Sequence, residues 1–224
     1  MGSEIYALKG VRDFSPQEKI VRDKIVETLK KVFELYGYAP LETPILEKFE
    51  ILSSKYAGGS DILKEIFKLR DQGNREIGMR YDLTVPLARY IGTNPNLKLP
   101  FKRYQIGEVF RDGPIGPARY RQFTQCDVDI VGSSSIASEA EIILLIYEVF
   151  NKLNIEINLK LNNRKLLNDI LNFYGVEKDK QDAVILAIDK LEKFGLVVVK
   201  DKLRSKKIDE DTLNKIVSIV NIKG

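Results

Sequence analysis

A chain of 224 residues with 44% hydrophobic and 30% charged side chains has the balance of a globular protein rather than a disordered one, and it is long enough for one sizeable domain with an appendage. With no histidine and a single cysteine, Cys126, it excludes internal disulfides, Cys/His metal sites and histidine-based catalytic triads within itself, so any chemistry must run on Arg, Lys, Asp, Glu, Tyr, Ser and Thr. The net charge of +4 permits an anionic partner without requiring one, and the lack of a bilayer-length apolar run or a signal-peptide pattern makes the cytoplasm the expected location.

The first predicted element is a helix running from Ser15 to about Tyr36. Ser15 stands at its N-cap, Pro16 at the first helical position, Glu18 completes a capping box, and Gly37 suits the terminating left-handed position. Val21, Ile25, Leu29, Val32 and Tyr36 recur at helical spacing and form one apolar stripe. A short strand is expected at Tyr38 to Leu41, before Pro44. Residues 65–69 and 76–80 flank Asp71-Gln72-Gly73-Asn74 as a hairpin in which Gly73 supplies the positive φ. Asp82 is placed to cap a helix reaching about Ile91.

Two strands follow, Lys102 to Arg111 and Arg119 to Asp129, joined by a loop rich in glycine and proline and with arginines at both mouths. An arginine fork holds phosphoryl oxygens through two charge-assisted hydrogen bonds, each worth roughly 1.5–3 kcal/mol when partly desolvated. A lone arginine there reads as a surface ion-pairing residue. Arg111 facing Arg119 and Arg121 across such a loop is a phosphate-site candidate. Phe123 reads by pattern as a core residue, while Gln125, Asp127 and Asp129 alternate onto one strand face together with Arg121 and Phe123.

Residues 136–153 are helical by pattern, with Ile142, Leu145, Ile146, Val149 and Leu153 on one face. Residues 156–161 alternate as a strand. Short amphipathic helices are expected around 164–174, 179–194 and 209–221, with a charged connector from Lys200 to Lys207. The domain division falls near residue 162: residues 1–162 as the core and residues 163–224 as a helical segment.

The run from Arg111 through Arg119-Tyr120-Arg121-Gln122-Phe123, with Gln125 and then Asp129, resembles motif 2 of the class II aminoacyl-tRNA synthetases. Within that class it is most similar to the histidyl-tRNA synthetases. Met79 to Thr84 resembles their Arg-x-Glu/Asp-x-Thr segment, Leu41 to Pro44 with the preceding helix resembles motif 1, and Lys9 to Asp13 resembles their N-terminal segment. Residues 163–221, including Asp189 to Lys193, are more loosely similar to the helical segment that follows in the eukaryotic-like branch.

The resemblance implies an α+β fold, an antiparallel sheet flanked by helices with a C-terminal helical appendage. It implies histidine activation with ATP, followed by transfer to tRNA(His), in a homodimer built through motif 1. Arg111 is then the catalytic arginine, binding the α-phosphate beside the substrate carboxylate. Arg119, Arg121 and Phe123 complete the ATP site, Arg119 near the outer phosphates and Phe123 on adenine. Asp82 and Thr84 take the α-ammonium side of histidine, and Gln125 and Asp129 its polar groups. Gly113 stands where the family often has an acidic residue, so Mg2+ is expected to come from solution with ATP, with no protein ligand assigned.

Motif 3, the histidine-specific loop and an anticodon-binding domain have no match, which fits an N-terminal catalytic fragment or a reduced relative. The implied consequence is weak ligand binding and feeble aminoacylation by these residues alone. Two rival readings stand beside this one. The first is a non-catalytic paralogue, of the type serving as regulatory subunit to ATP phosphoribosyltransferase; Arg111, Arg119 and Arg121 weigh against it, because a histidine sensor needs no triphosphate site. The second is an RNA-binding or dimerisation module, which predicts a basic track that these mixed charges do not require.

Overall fold

Helix α1 (Pro16–Leu35) starts as its local chemistry dictates in the computed structural model, which describes residues 5–54 and 61–188. The Ser15 hydroxyl accepts from the Glu18 amide at 3.3 Å, and the Ser15 amide donates to Glu18 Oε2 at 2.8 Å. Gly37 takes φ +79° just past its end. Its apolar stripe divides in two: Leu29, Val32 and Tyr36 enter a core with Phe33, Tyr38, Tyr104, Leu145 and Val149, whereas Val21 and Ile25 are 57% and 41% exposed.

The described residues form two three-stranded sheets. In the first, β1 (Ala39–Pro40) runs parallel to β5 (Phe101–Phe110), which pairs antiparallel with β6 (Gln122–Val131) over its whole length. One parallel pair thus qualifies the expected antiparallel sheet. In the second, β2 (Leu46–Lys48) and β3 (Lys68–Arg70) flank β4 (Glu76–Met79), both antiparallel. Helices α2 (Phe49–Ser54), α3 (Thr84–Thr93) and α4 (Ile136–Lys152) complete this unit. The two-residue period of the long strands sorts their side chains: Tyr104, Ile106, Val128 and Ile130 pack toward α1 and α4, and the odd-numbered residues face away.

That opposite face is covered by the turn before α3, and Arg80 fastens it. Its amide donates to Ile45, its carbonyl accepts from Phe110, and its side chain donates to the carbonyls of Glu108 and Thr43 at 2.8 and 2.6 Å. Arg80 is buried, which pushes its guanidinium below the usual arginine range. A Cβ at Gly107 would lie 2.6 Å from Arg80 Nη2, so glycine is what admits the arginine there.

Several local expectations are corrected. The positive φ of the β3–β4 turn belongs to Asn74 (59°), a residue type that tolerates the left-handed region, and not to Gly73. Glu65 ends a short 3-10 helix (Asp61–Glu65) instead of opening a strand. Asp82 caps α3 from one position further out, with Oδ1 accepting from the Val85 amide at 2.9 Å. Residues 156–161 form no strand despite their alternation, because a strand exists only by pairing and no described segment pairs with them.

The chain divides into two compact units between Ile157 and Asn158, inside that same segment. The second unit contains α5 (Arg164–Phe173) and α6 (Lys178–Ile188). The expected connector at 200–207, the helix at 209–221 and the segment Asp189 to Lys193 lie outside the described residues.

Candidate functional site

The β5–β6 hairpin closes through a loop held at its neck by the Arg111 amide donating to the Arg121 carbonyl at 2.8 Å. Further out, Gly116 and Arg119 exchange backbone hydrogen bonds at 3.2 and 3.0 Å. The loop encloses a cavity of about 300 Å3 lined by Arg111, Gly113, Pro114, Arg119, Tyr120 and Phe123, among others.

Arg111 is oriented from two sides. Its Nε donates to the Tyr81 carbonyl at 3.0 Å, and its guanidinium carbon lies 5.1 Å from the Phe123 ring centroid. Phe123 is half-buried against that cation and lines the cavity, so it does not join the core as its strand pattern implies. Arg119 is 58% exposed and pairs with Glu65 at 2.8 Å. A pair so exposed is worth little, roughly 0–1 kcal/mol, and yields readily to a phosphate.

Arg121 is directed elsewhere. It pairs with Asp112 at 3.0 Å, its amide donates to the Gly10 carbonyl at 2.7 Å, and it lies outside the cavity lining. Gly10 has φ +89°, and a Cβ there would meet Arg121 Cγ and Ile115 Cδ1 at 2.9 Å. The N-terminal strap therefore crosses the hairpin at close range. Next to it, Arg12 and Arg22 lie 4.5 and 3.9 Å from the Phe14 ring centroid, and Arg22 donates to the Thr124 hydroxyl at 2.6 Å. Sequence reasoning passed over Phe14 and Arg22, and only the motif-like Lys9 to Asp13 pointed toward this region.

Further along the same face the sheet becomes acidic around one buried cation. Arg103 stands directly opposite Asp129 in the β5–β6 register, is fully buried, and pairs with it at 2.6 Å. Its Nη2 donates to the Leu83 carbonyl at 3.3 Å. Burial pushes the Arg103 guanidinium below the usual arginine range, against the pull of Asp129, Asp127 and Asp82.

Asp82 and Asp129, which are distant in sequence, are thus gathered around one side chain. Gln125 lies on that face opposite Gly107, with its Oε1 buried and lacking a hydrogen-bond partner among the described residues. Thr84 is exposed at the first residue of α3. Arg103 and Asp127 were not candidates from sequence. A Lys-Arg pair at a strand start reads as surface, although alternation does put Arg103 on the face of Arg111.

A family model described as Histidyl-tRNA synthetase matches residues 10–224. The chain belongs to the histidyl-tRNA synthetase family. Among curated relatives, histidine–tRNA ligase 1 of Bacillus cereus is 48% identical over 217 residues, covering 97% of this chain and 51% of the relative. The histidine–tRNA ligase of Wolinella succinogenes is 42% identical over 219 residues, covering 96% of this chain and 49% of that protein.

The solved histidyl-tRNA synthetase from a Nostoc species aligns with a TM-score of 0.88 at 34% identity, over 100% of this chain and 50% of its own. The α+β architecture is therefore that of a class II synthetase. A Bacillus halodurans structure described as an ATP phosphoribosyltransferase regulatory subunit/histidyl-tRNA synthetase shares the fold, with a TM-score of 0.78 at 19% identity over 96% of this chain and 55% of its own. The chain spans about half the length of the curated relatives it matches.

Proposed function

We propose that this chain carries the histidine-activating part of a histidine–tRNA ligase, with ATP at the hairpin cavity and histidine at the acidic face beside it. The observation that carries the reading is the arrangement along one strand pair, in which the Arg111–Phe123 cavity and the Asp82–Asp129 cluster share the face of β5–β6. Family membership supplies the prior for it.

In this reading adenine stacks on Phe123 and Arg111 faces the α-phosphate. Asp82 takes the α-ammonium, with Thr84 at the adjacent helix start, while Gln125 and Asp129 take the ring. A histidine carboxylate oxygen attacks the α-phosphorus in line, the bond to the pyrophosphate oxygen breaks, and histidyl-adenylate and pyrophosphate form. No proton changes hands in that step, so the chain's lack of histidine does not matter. Arg111 stabilises the charge that grows on the phosphoryl oxygens, and Arg119, released from Glu65, faces the outer phosphates. Arg121 acts behind them, holding the loop to the N-terminal strap. A hydroxyl oxygen of the tRNA 3′ end then attacks the acyl carbon, the bond from that carbon to the phosphate oxygen breaks, and AMP leaves with the hydroxyl's proton taken up by its phosphate.

The nearby carboxylates Glu65 and Asp112 are each taken by an arginine, and the described residues contain no cluster of three metal-ligating side chains. They do not fit a dedicated Mg2+ site. Mg2+ is assigned to the ATP phosphates. The remaining assignments are tRNA(His) as acceptor, a homodimer through α1, and a cytoplasmic location; no described helix is long and apolar enough to cross a membrane.

The retained arginine–aromatic cavity favours a synthetase over a histidine-sensing paralogue. ATP–pyrophosphate exchange tested with each amino acid in turn checks the reading. Stimulation by histidine alone is expected, and exchange stimulated equally by several amino acids refutes it.

A further inference from the structure

We propose that Arg103 is a positioning residue for amino-acid recognition, holding the Asp129 carboxylate where it accepts a hydrogen bond from the ring of bound histidine. The inference rests on the assignment of Asp129 to histidine made above.

Arg103 is a poor choice as a device for stability. It is fully buried near the start of β5, the central strand of its sheet, where an aliphatic side chain would pack without losing hydration. Replacing buried ion pairs by apolar residues of similar volume is often neutral or stabilising, so placement of charge is the better reason for an arginine here. Its surroundings fit that reason: Asp129 faces it across the register, and Asp127 and Asp82 lie close enough to act on it. Without this cation the three carboxylates, Asp82 buried and Asp127 and Asp129 half-buried, would repel one another.

The manner of pairing is also informative. Arg103 Nη2 approaches Asp129 Oδ2 to 2.6 Å, and a single such contact leaves the carboxylate, which has about four acceptor sites, with capacity for a ligand. Arg103 Nε and Nη1 have no hydrogen-bond partner among the described residues, and Gln125 Oε1 on the same face has none either. A buried face with unmatched donors and acceptors suits a ligand that carries both, and an imidazole has one of each.

The test is calorimetric titration of L-histidine, and separately of ATP, into the wild-type chain, R103M, D129N and the double variant, with R103K as the conservative change. Thermal denaturation reports folding for each. R103M and D129N are each expected to weaken histidine binding by about ten- to a hundredfold, and the double variant to bind no more weakly than the worse single variant. R103K should lie between, and ATP affinity should stay within about twofold of wild type.

Losses that multiply in the double variant overturn the proposal, since they mean Arg103 acts independently of Asp129. An R103M effect equal on ATP and histidine overturns it too, by showing a structural role. If R103M does not fold, R103K and R103K/D129N complete the same cycle. Unchanged histidine affinity in D129N refutes the parent assignment of Asp129, and a purely additive cycle refutes only the role of Arg103.

Discussion

Replacing Arg111 by alanine separates a phosphate site from an ordinary surface arginine. The side chain makes a hydrogen bond to the Tyr81 carbonyl and lies against the Phe123 ring at 5.1 Å. Losing those contacts costs stability of about 1–2 kcal/mol, a neutral-acceptor hydrogen bond plus a partly exposed cation–π contact. Ligand binding should suffer more. A guanidinium already oriented by Tyr81 can give two charge-assisted hydrogen bonds to phosphoryl oxygens, and partial exposure of the cavity reduces their joint worth to about 2–4 kcal/mol. That corresponds to about a thirtyfold to several hundredfold weaker Kd for ATP. Calorimetric titration of ATP into wild type and Arg111→Ala, with thermal melts in parallel, measures both quantities. Arg111→Lys should recover part of the loss, because it restores charge without the fork. Equal ATP affinities for wild type and Arg111→Ala refute the phosphate assignment, whatever the melts show.

Other expectations follow from the fold. Gly10→Ala puts a side chain at φ +89° and within 2.9 Å of Arg121 and Ile115, so it should cost at least about 1–2 kcal/mol in a denaturant titration; no loss means that the strap is not anchored there. The exposed half of α1 should mediate self-association: sedimentation is expected to show a dimer converted to monomer by Ile25→Asp, and a wild-type monomer at high micromolar concentration contradicts this. Glu141 accepts from Lys102 and from the Tyr38 hydroxyl, and the Lys102 bond first of all holds its carboxyl below the ordinary 4.5. The folded state then binds fewer protons than the unfolded state around that value. Its stabilisation is present above pH 4.5 and is lost as pH falls through the lower folded-state pKa, so Glu141→Gln should flatten the acid limb of a melting profile. An unchanged limb shows that other carboxylates dominate.

The legibility of this chain followed sequence distance. The α1 cap was readable because Ser15, Pro16 and Glu18 settle it within one turn, and the β5–β6 hairpin because its Gly/Pro loop and alternation are local. The Asp82–Arg103–Asp129 gathering depends on strand register and on the turn before α3, which no periodicity encodes. The Arg119–Glu65 pair likewise joins residues 54 apart. Residues 156–161 show the converse failure, alternation without a partner. Arg121, expected at the phosphates from its place in an arginine-rich loop, pairs with Asp112 and lies under the Gly10 strap, contacts that no local pattern encodes.

The most direct test of the central claim is equilibrium binding of a non-hydrolysable histidyl-adenylate analogue, compared with the alanyl analogue, with backbone NMR shifts locating the ligand. The account predicts binding at least about a hundredfold tighter for the histidyl compound, because the acidic face is matched to its ring and leaves buried polar groups unpaired with alanine. The shifts should fall at Phe123 and Arg119 together with Asp82, Gln125 and Asp129. Equal affinity for the two analogues, or shifts confined to the hairpin cavity, would contradict it.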